Sequence, residues 1–90
     1  MLSQLKVSIL EYVRDHQDGV TTLDILRFGV NRPDGISTAI RRRTNELAED
    51  HYLHNDIIKI NNKNIAHFTI TEKGRVYLLR LNQVFSPYEA

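Results

Sequence analysis

The sequence predicts a small α+β domain in which three helices precede a β-hairpin and a fourth helix follows it. Two observations lead to this prediction. Apolar residues recur at three- and four-residue steps before residue 50 and after residue 71. Between these regions the pattern changes to alternation in segments rich in β-branched residues. The 90 residues, 41% hydrophobic and 26% charged, are typical of one globular domain. We assign residues 1–82 to this domain and 83–90 to a C-terminal tail.

The composition excludes several classes of protein. Without cysteine, the chain has no disulfide framework, zinc finger or thiol nucleophile. No apolar run approaches the ~20 residues that span a bilayer. Lys6, Glu11 and Arg14 interrupt the apolar positions at the N-terminus, which is unlike a signal peptide. We therefore expect a cytoplasmic protein, associated with the nucleoid or found in the host cytoplasm if the source is viral, and no membrane partner.

The first predicted helix stops at Gly19, a residue that tolerates the left-handed conformation. A second, short helix starts after Thr21, which is suited to form an approximate capping box with Asp24, and it ends at Gly29. The apolar residues of the two helices that are expected to face the core are Leu2, Leu5, Ile9, Val13, Leu23, Leu26 and Phe28.

A third helix is predicted over residues 34–50, with Asp34 as its N-cap. The residues predicted to face the core are Ile36, Ile40 and Leu47. At 100° per residue, the opposite face presents Thr38, Arg41, Arg42, Asn45 and Glu49. Arg43 falls at the edge of the buried stripe, where Glu46 or Asp50 can hold it.

Two strands are predicted from Leu53 to Ile60 and from Ile65 to Thr71. The polar loop at residues 61–64 joins them into a hairpin, because Asn readily adopts positive φ. Thr71 then caps a last helix over residues 72–81. In this helix Val76 and Leu79 are expected on the core stripe, and Leu78, partly off it, is the third candidate to point inward.

This order of elements resembles the winged helix-turn-helix superfamily of small prokaryotic and phage DNA-binding regulators. Residues 19–22 look like the start of its second helix, and residues 37–47 look like its recognition helix. Residues 68–75 are similar to the strand-to-helix junction of many bacterial and archaeal winged-helix regulators. The resemblance covers about residues 3–81. It implies that helix 34–50 enters the major groove and that the wing, residues 57–70, contacts the backbone or the minor groove.

The distribution of charge agrees with that expectation, although the formal net charge is only +1. Two basic blocks, residues 27–45 and 57–90, flank an acidic block at residues 46–56. Within the third helix the arginines precede the acids, which opposes the preference of the helix dipole. Helix stability therefore does not explain the order, whereas anion binding does. The alternative is that the blocks form only a solvated surface.

Candidate DNA contacts follow from the chemistry of the side chains. Arg bonds a guanine edge bidentately and Asn an adenine edge, so the candidates for reading bases are Thr38, Arg41, Arg42 and Asn45. The candidates for binding phosphate are Arg32, Ser37, Lys59 and Lys63. Contact of both arginines with phosphates alone is an alternative that the residues leave open.

No metal site, cofactor or catalytic set is predicted, and we expect a protein that is not an enzyme. The residues that suggest a metal lack characteristic ligand spacing; they are His51, His54, His67 and Asp56. No nucleophile–base–acid set stands out, and the four glycines are too scattered for a phosphate-binding loop.

We expect sequence-specific binding of double-stranded DNA by a repressor-like regulator of transcription. The alternatives are an excision or architectural DNA-binding factor of a phage, and a winged-helix protein–protein interaction module without DNA binding. One recognition helix reads few base pairs, which favours a homodimer on two half-sites. The residues expected to pair the two copies are Tyr77, Leu78, Leu81, Val84, Phe85 and Tyr88. Alternatively, the tail covers the Leu10–Tyr12 side of the first helix of a monomer.

Overall fold

A computed structural model describes residues 1–84 of the chain. Over these residues it contains four helices and three strands, and the predicted α+β class is confirmed. In chain order, the elements are α1 (Gln4–Arg14), β1 (Val20–Thr21), α2 (Thr22–Gly29), α3 (Ser37–Glu49), β2 (Leu53–Ile60), β3 (Lys63–Ile70) and α4 (Glu72–Val84). None of these helices combines the length and apolar character that a bilayer crossing requires.

The three strands form one antiparallel sheet in the order β1-β3-β2. β2 and β3 pair over their full lengths, from Leu53 opposite Ile70 to Ile60 opposite Lys63. The predicted hairpin is therefore present, but the prediction missed the third strand, β1, in which Val20 pairs with Phe68. Two residues are too few to show an alternating pattern, so the strand character of β1 arises only from its pairing with β3.

The hairpin turn is shorter than predicted. It contains only Asn61 and Asn62, whose φ angles are 51° and 65°. Positive φ at both central positions is the geometry of a two-residue turn that matches the twist of the flanking strands, and Asn favours it. Lys63 and Asn64, which were predicted in the loop, are the first residues of β3. Lys63 therefore follows the turn directly, at the end of the hairpin farthest from the core.

α2 begins with the predicted capping box. The Thr21 hydroxyl accepts a hydrogen bond from the Asp24 amide at 3.2 Å, and the Asp24 carboxylate accepts one from the Thr21 amide at 3.0 Å. The bond from the Thr21 amide is the main reason why the pKa of Asp24 lies below its ordinary value. The box fixes the start of α2 at the point where β1 ends.

The boundaries of α3 and α4 differ from the predicted ones. α3 begins at Ser37 rather than at Asp34, and the Asp34 carboxylate accepts hydrogen bonds from Arg32 at 2.8 and 3.1 Å instead of capping the helix. Ile36 takes the N-cap position, where it provides no side-chain hydrogen bond. α4 continues to Val84, beyond the predicted end at residue 81. Of the predicted tail, residues 85–90 lie outside the described part of the chain.

The core combines side chains from all four helices and all three strands. Its buried members are Ile9, Leu10, Val13, Val20, Ile25, Ile40, Leu47, Leu53, Phe68 and Leu78.

Three residues that were predicted to face the core are exposed instead. Ile36 is 66% exposed because it precedes the helix, so helical periodicity does not apply to it. In α2, Ile25 and Gly29 lie on the buried side of the helix. Leu23 lies away from that side and is 54% exposed. In α4 the placement of Leu79 in the core was wrong, since it is 62% exposed, whereas Leu78, the third candidate, is buried.

The orientation of α4 is set by Gly74, which lies one turn before Leu78. A Cβ at Gly74 would fall 2.8 Å from the Ile70 side chain and 3.2 Å from the Leu10 side chain, in addition to overlapping the Tyr52 carbonyl oxygen. This close approach turns the Gly74–Leu78 side of α4 toward the core and turns Leu79 outward.

Candidate nucleic-acid interface

The residues predicted to read bases share one exposed face of α3. Thr38, Arg41, Arg42 and Asn45 are all exposed, and Ser37 precedes them at the first position of the helix. On the opposite face Ile40, Thr44 and Leu47 are buried. The Thr44 hydroxyl donates to the Ile40 carbonyl at 2.8 Å, so the buried side of α3 holds no unpaired polar group. The exposure of the predicted face is thus observed, while the base contacts of its residues stay a prediction.

The three consecutive arginines of α3 differ in their surroundings. Arg43 donates to the Glu46 carboxylate at 2.6 Å, and Lys6 of α1 lies 3.1 Å from the same oxygen. The hydrogen bond from Arg43, followed by that from Lys6, holds the pKa of Glu46 below its ordinary value. Arg41 and Arg42 have no ion pair within residues 1–84. Two of the three guanidinium groups are therefore available to a ligand.

The N-terminus of α3 adds hydrogen-bond donors at one end of this face. Ile36 offers no side-chain cap, and the first main-chain bond of the helix runs from the Ile40 amide to the Ile36 carbonyl at 2.9 Å. Within residues 1–84, neither the Ser37 amide nor the Thr38 amide has a hydrogen-bond acceptor. An uncapped helix N-terminus favours an anion, and the Ser37 hydroxyl lies beside it.

Arg32 is less available than the sequence suggested. Its guanidinium makes a two-fold hydrogen bond with Asp34 and lies 5.5 Å from the centre of the Phe28 ring. The hydrogen bond from Arg32 holds the pKa of Asp34 below its ordinary value. Any phosphate contact by Arg32 would share the guanidinium with Asp34, and we expect its contribution to be smaller than those of the unpaired cations.

The two lysines of the hairpin lie near its tip and on opposite faces. Lys59 is opposite Asn64, and Lys63 is opposite Ile60. Neighbouring residues of a strand point to opposite faces, so the side chains of Lys59 and Ile60 lie on opposite faces of the hairpin. Residues paired across two strands share a face, so Lys63 lies on the face of Ile60. Both lysines are exposed, and neither has an ion pair in the described part of the chain. Each face of the hairpin tip therefore carries one cation.

One residue beside this surface was missed by the sequence analysis. A cleft of about 100 Å³ opens between α2, α3 and β3, and Thr22 lines it together with Arg41 and Asn45. The position of Thr22 at the first residue of a capped helix was visible in the sequence. Its closeness to the middle of α3 depends on how α2 and α3 pack, which no local pattern reports.

The histidines are spread over separate parts of the structure. His67 contacts the Asp18 carbonyl at 3.0 Å, and His16 contacts the Tyr12 carbonyl at 2.7 Å. His51 lies in the connection between α3 and β2 with a φ of 66°. No group of three or more His, Asp or Glu side chains within residues 1–84 is arranged to hold a metal ion.

Comparison with known proteins adds information on the fold. No family model and no curated protein matches the sequence. The structure is similar to the crystal structure of smu.1704 from Streptococcus mutans UA159, with a TM-score of 0.76 over 94% of this chain and 78% of that chain. The two sequences are 18% identical, and at this level the similarity shows a shared fold alone.

Proposed function

We propose that this protein is a winged helix-turn-helix regulator of transcription that binds double-stranded DNA and recognises its sequence through α3. The observation that carries the proposal is the difference among the three arginines of α3. Arg43 is held by Glu46 within the fold, whereas Arg41 and Arg42 are exposed on the face that bears Thr38 and Asn45. Unpaired guanidinium groups beside an amide and a hydroxyl match the donors and acceptors of base edges.

The architecture supports this assignment. In the superfamily that the sequence resembles, the third helix is the recognition helix and the following hairpin is the wing. α3 and the β2–β3 hairpin occupy these two places in the chain, and β1 joins the same sheet from the other side of β3. An α-helix fits the major groove of B-DNA, which is about 12 Å wide.

The placement of cations suggests how the two elements share the DNA. With α3 in the major groove, its uncapped N-terminus and Ser37 are suited to a phosphate at the edge of the groove. Lys59 and Lys63 lie on opposite faces of the hairpin tip. A hairpin that enters the minor groove edge-on would then direct one lysine toward each of the two backbones.

We expect the folded protein to bind a random DNA duplex with an affinity that falls steeply as salt rises. The slope of log K against log salt is about −0.9 for each phosphate that is neutralised. Fluorescence anisotropy at several salt concentrations measures it. Lys63→Ala is expected to reduce the steepness by about one unit. Lys73→Ala is the matched control, because its ammonium donates to the Asp50 carbonyl at 2.7 Å and lies 4.4 Å from the Tyr52 ring centre.

Absence of binding at low salt, by a protein that circular dichroism shows to be folded, would contradict DNA binding. The α3 face would then be assigned to a protein–protein interaction module. An unchanged slope for Lys63→Ala would exclude Lys63 from contact with the DNA while leaving α3 in place.

We also propose that the protein pairs through α4 and the tail. Two of the residues first expected in the interface serve the fold instead. Leu78 is in the core, and the Tyr77 hydroxyl accepts a hydrogen bond from the Leu2 amide at 3.0 Å. Leu79 is 62% exposed on α4, and it replaces them in the proposed surface. Leu81, which is half-buried, stays in the proposed surface. The other members of the predicted set, the side chain of Val84 with Phe85 and Tyr88, lie outside the described part of the chain.

In the alternative arrangement, a tail folded over α1 would find little exposed apolar surface on that helix. Leu10 is fully buried, and the Tyr12 ring already packs at 4.6 Å from the Phe28 ring.

Sedimentation at micromolar concentration is expected to show a dimer for the full chain and a monomer for Leu79→Glu. A carboxylate placed in an apolar contact must give up its hydration, which opposes pairing. A chain cut after Asn82 tests the tail separately. Leu23→Glu is the matched control, since Leu23 is similarly exposed on α2 and is expected to leave the dimer intact. A monomeric full chain that stays monomeric on DNA would contradict the proposed dimer.

A further inference from the structure

Two aliphatic side chains are exposed at the connection between α2 and α3. Val30 is 74% exposed and Ile36 is 66% exposed. Within the described residues, only Met1 among the large hydrophobic residues is more exposed. The core does not use either side chain, so their apolar surface is available to a ligand.

The residues that precede Val30 and Ile36 are in contact with each other through their backbones. Gly29 and Gly35 are in contact, and a Cβ at Gly35 would lie 2.7 Å from the carbonyl carbon and 3.0 Å from the Cα of Gly29. Val30 directly follows Gly29, and Ile36 directly follows Gly35. Both aliphatic residues therefore directly follow a glycine of the same backbone contact. Ile36 is also the residue immediately before α3.

The stability of α3 does not account for Ile36. This residue is the N-cap, with φ −64° and ψ 130°, and it makes no side-chain hydrogen bond to the helix. Ser, Thr, Asp or Asn would cap the helix at this position, whereas isoleucine is among the poorest N-cap residues. Ile36 thus contributes neither a cap nor a buried side chain to the fold.

We propose that Ile36, with Val30 beside it, recognises the C5-methyl group of a thymine in the major groove; this rests on the DNA binding proposed above. Thymine is the only unmodified base that presents a methyl group there, and apolar side chains distinguish it by contact. The N-terminal residues of a recognition helix are those that approach the base edges. Ile36 adjoins Ser37 and Thr38 at that end of α3. The binding site therefore contains a thymine next to the bases that the polar face of α3 contacts.

Replacement of thymine by uracil tests this contact, because it removes the methyl group and leaves base pairing intact. A duplex that the wild-type protein prefers is first selected from a randomised pool, and each thymine is then replaced singly by uracil. We expect one replacement to weaken binding by about fourfold, the change that corresponds to one buried methyl group. Ile36→Ala is expected to bind the thymine duplex about as weakly as the wild-type protein binds the uracil duplex. Its affinity is expected to be the same for both duplexes.

Two further variants separate base recognition from folding and from general apolar exposure. Ile36→Ser supplies an N-cap, so it is expected to keep or raise the unfolding free energy while it loses the discrimination between thymine and uracil. Ile57→Ala is the matched control. Ile57 is 60% exposed on the hairpin, and its replacement is expected to leave the discrimination unchanged.

The outcomes distinguish this proposal from the one on which it rests. A wild-type protein that binds its selected duplex but responds to no uracil replacement overturns the thymine contact and leaves DNA binding in place. Retained discrimination in both Ile36→Ala and Ile36→Ser overturns the assignment to Ile36. Failure of the folded wild-type protein to bind any duplex removes the proposed function itself.

Discussion

The Arg42→Ala variant is expected to bind a selected DNA site about 1–3 kcal/mol more weakly than the wild-type protein, which corresponds to a loss of roughly 5- to 150-fold. The Arg42 side chain is exposed on α3 and has no ion pair within residues 1–84. It is therefore free to form two parallel hydrogen bonds with a guanine edge. On random DNA the loss of affinity is expected to be smaller, because there the variant loses only the attraction between the arginine charge and the phosphates. Anisotropy titrations with both duplexes measure the difference.

Arg43→Ala is the matched control for this experiment, since it removes the same side chain from the next position. Arg43 is held at 2.6 Å by Glu46, which also binds Lys6 of α1. Its removal is expected to leave both DNA affinities almost unchanged and to loosen the contact between α1 and α3. An equal loss on both duplexes for Arg42→Ala would restrict Arg42 to the backbone. A loss for Arg43→Ala as large as that for Arg42→Ala would contradict the distinction on which the proposed function depends.

The Gly35→Ala variant is expected to lower the free energy of unfolding by about 3 kcal/mol. A Cβ at this position would overlap the carbonyl oxygen of Gly29 and lie 2.7 Å from its carbonyl carbon. These are backbone atoms, so no side-chain rotation relieves the overlap, and the connection between α2 and α3 must open. The φ of Gly35 is not positive, so alanine can adopt the same backbone conformation. Alanine also restricts the unfolded chain, which favours the folded state, so the net loss is a lower bound on the cost of the close contact. Urea denaturation measures it.

Gly29→Ala provides the comparison on the other side of this contact. Its Cβ would meet the Ile40 side chain at 3.0 and 3.1 Å and the Gly35 carbonyl oxygen at 3.3 Å, a much milder backbone contact than the overlap at Gly35. Alanine also has the higher helix propensity. A side chain can shift where a backbone cannot, so we expect a smaller loss than for Gly35→Ala. If Gly35→Ala were as stable as the wild type, the packing of the two glycines against each other would be contradicted.

Much of the local structure follows from sequence spacing. The exposed face of α3 was correctly predicted because consecutive helical residues are 100° apart wherever the helix lies. That rule separates Thr38, Arg41, Arg42 and Asn45 from the buried Ile40 and Leu47. The capping box at Thr21 and Asp24 was predicted for a similar reason, since its partners are three residues apart. Interactions between residues that are close in the chain can be read without knowledge of the fold.

The tertiary structure decided the features that depend on distant residues. β1 is a strand only because Val20 meets Phe68, which lies 48 positions later in the chain. Leu78 rather than Leu79 enters the core because Gly74 packs against Tyr52 and Leu10.

The difference among the α3 arginines also depends on the fold. Neighbouring arginines have the same charge in the sequence, and spacing alone left Arg43 with two possible partners. Packing of α1 against α3 brings Lys6 to Glu46 and completes the group that holds Arg43. Periodicity identifies which side of a helix is polar, whereas the availability of each charge depends on the neighbours that packing supplies.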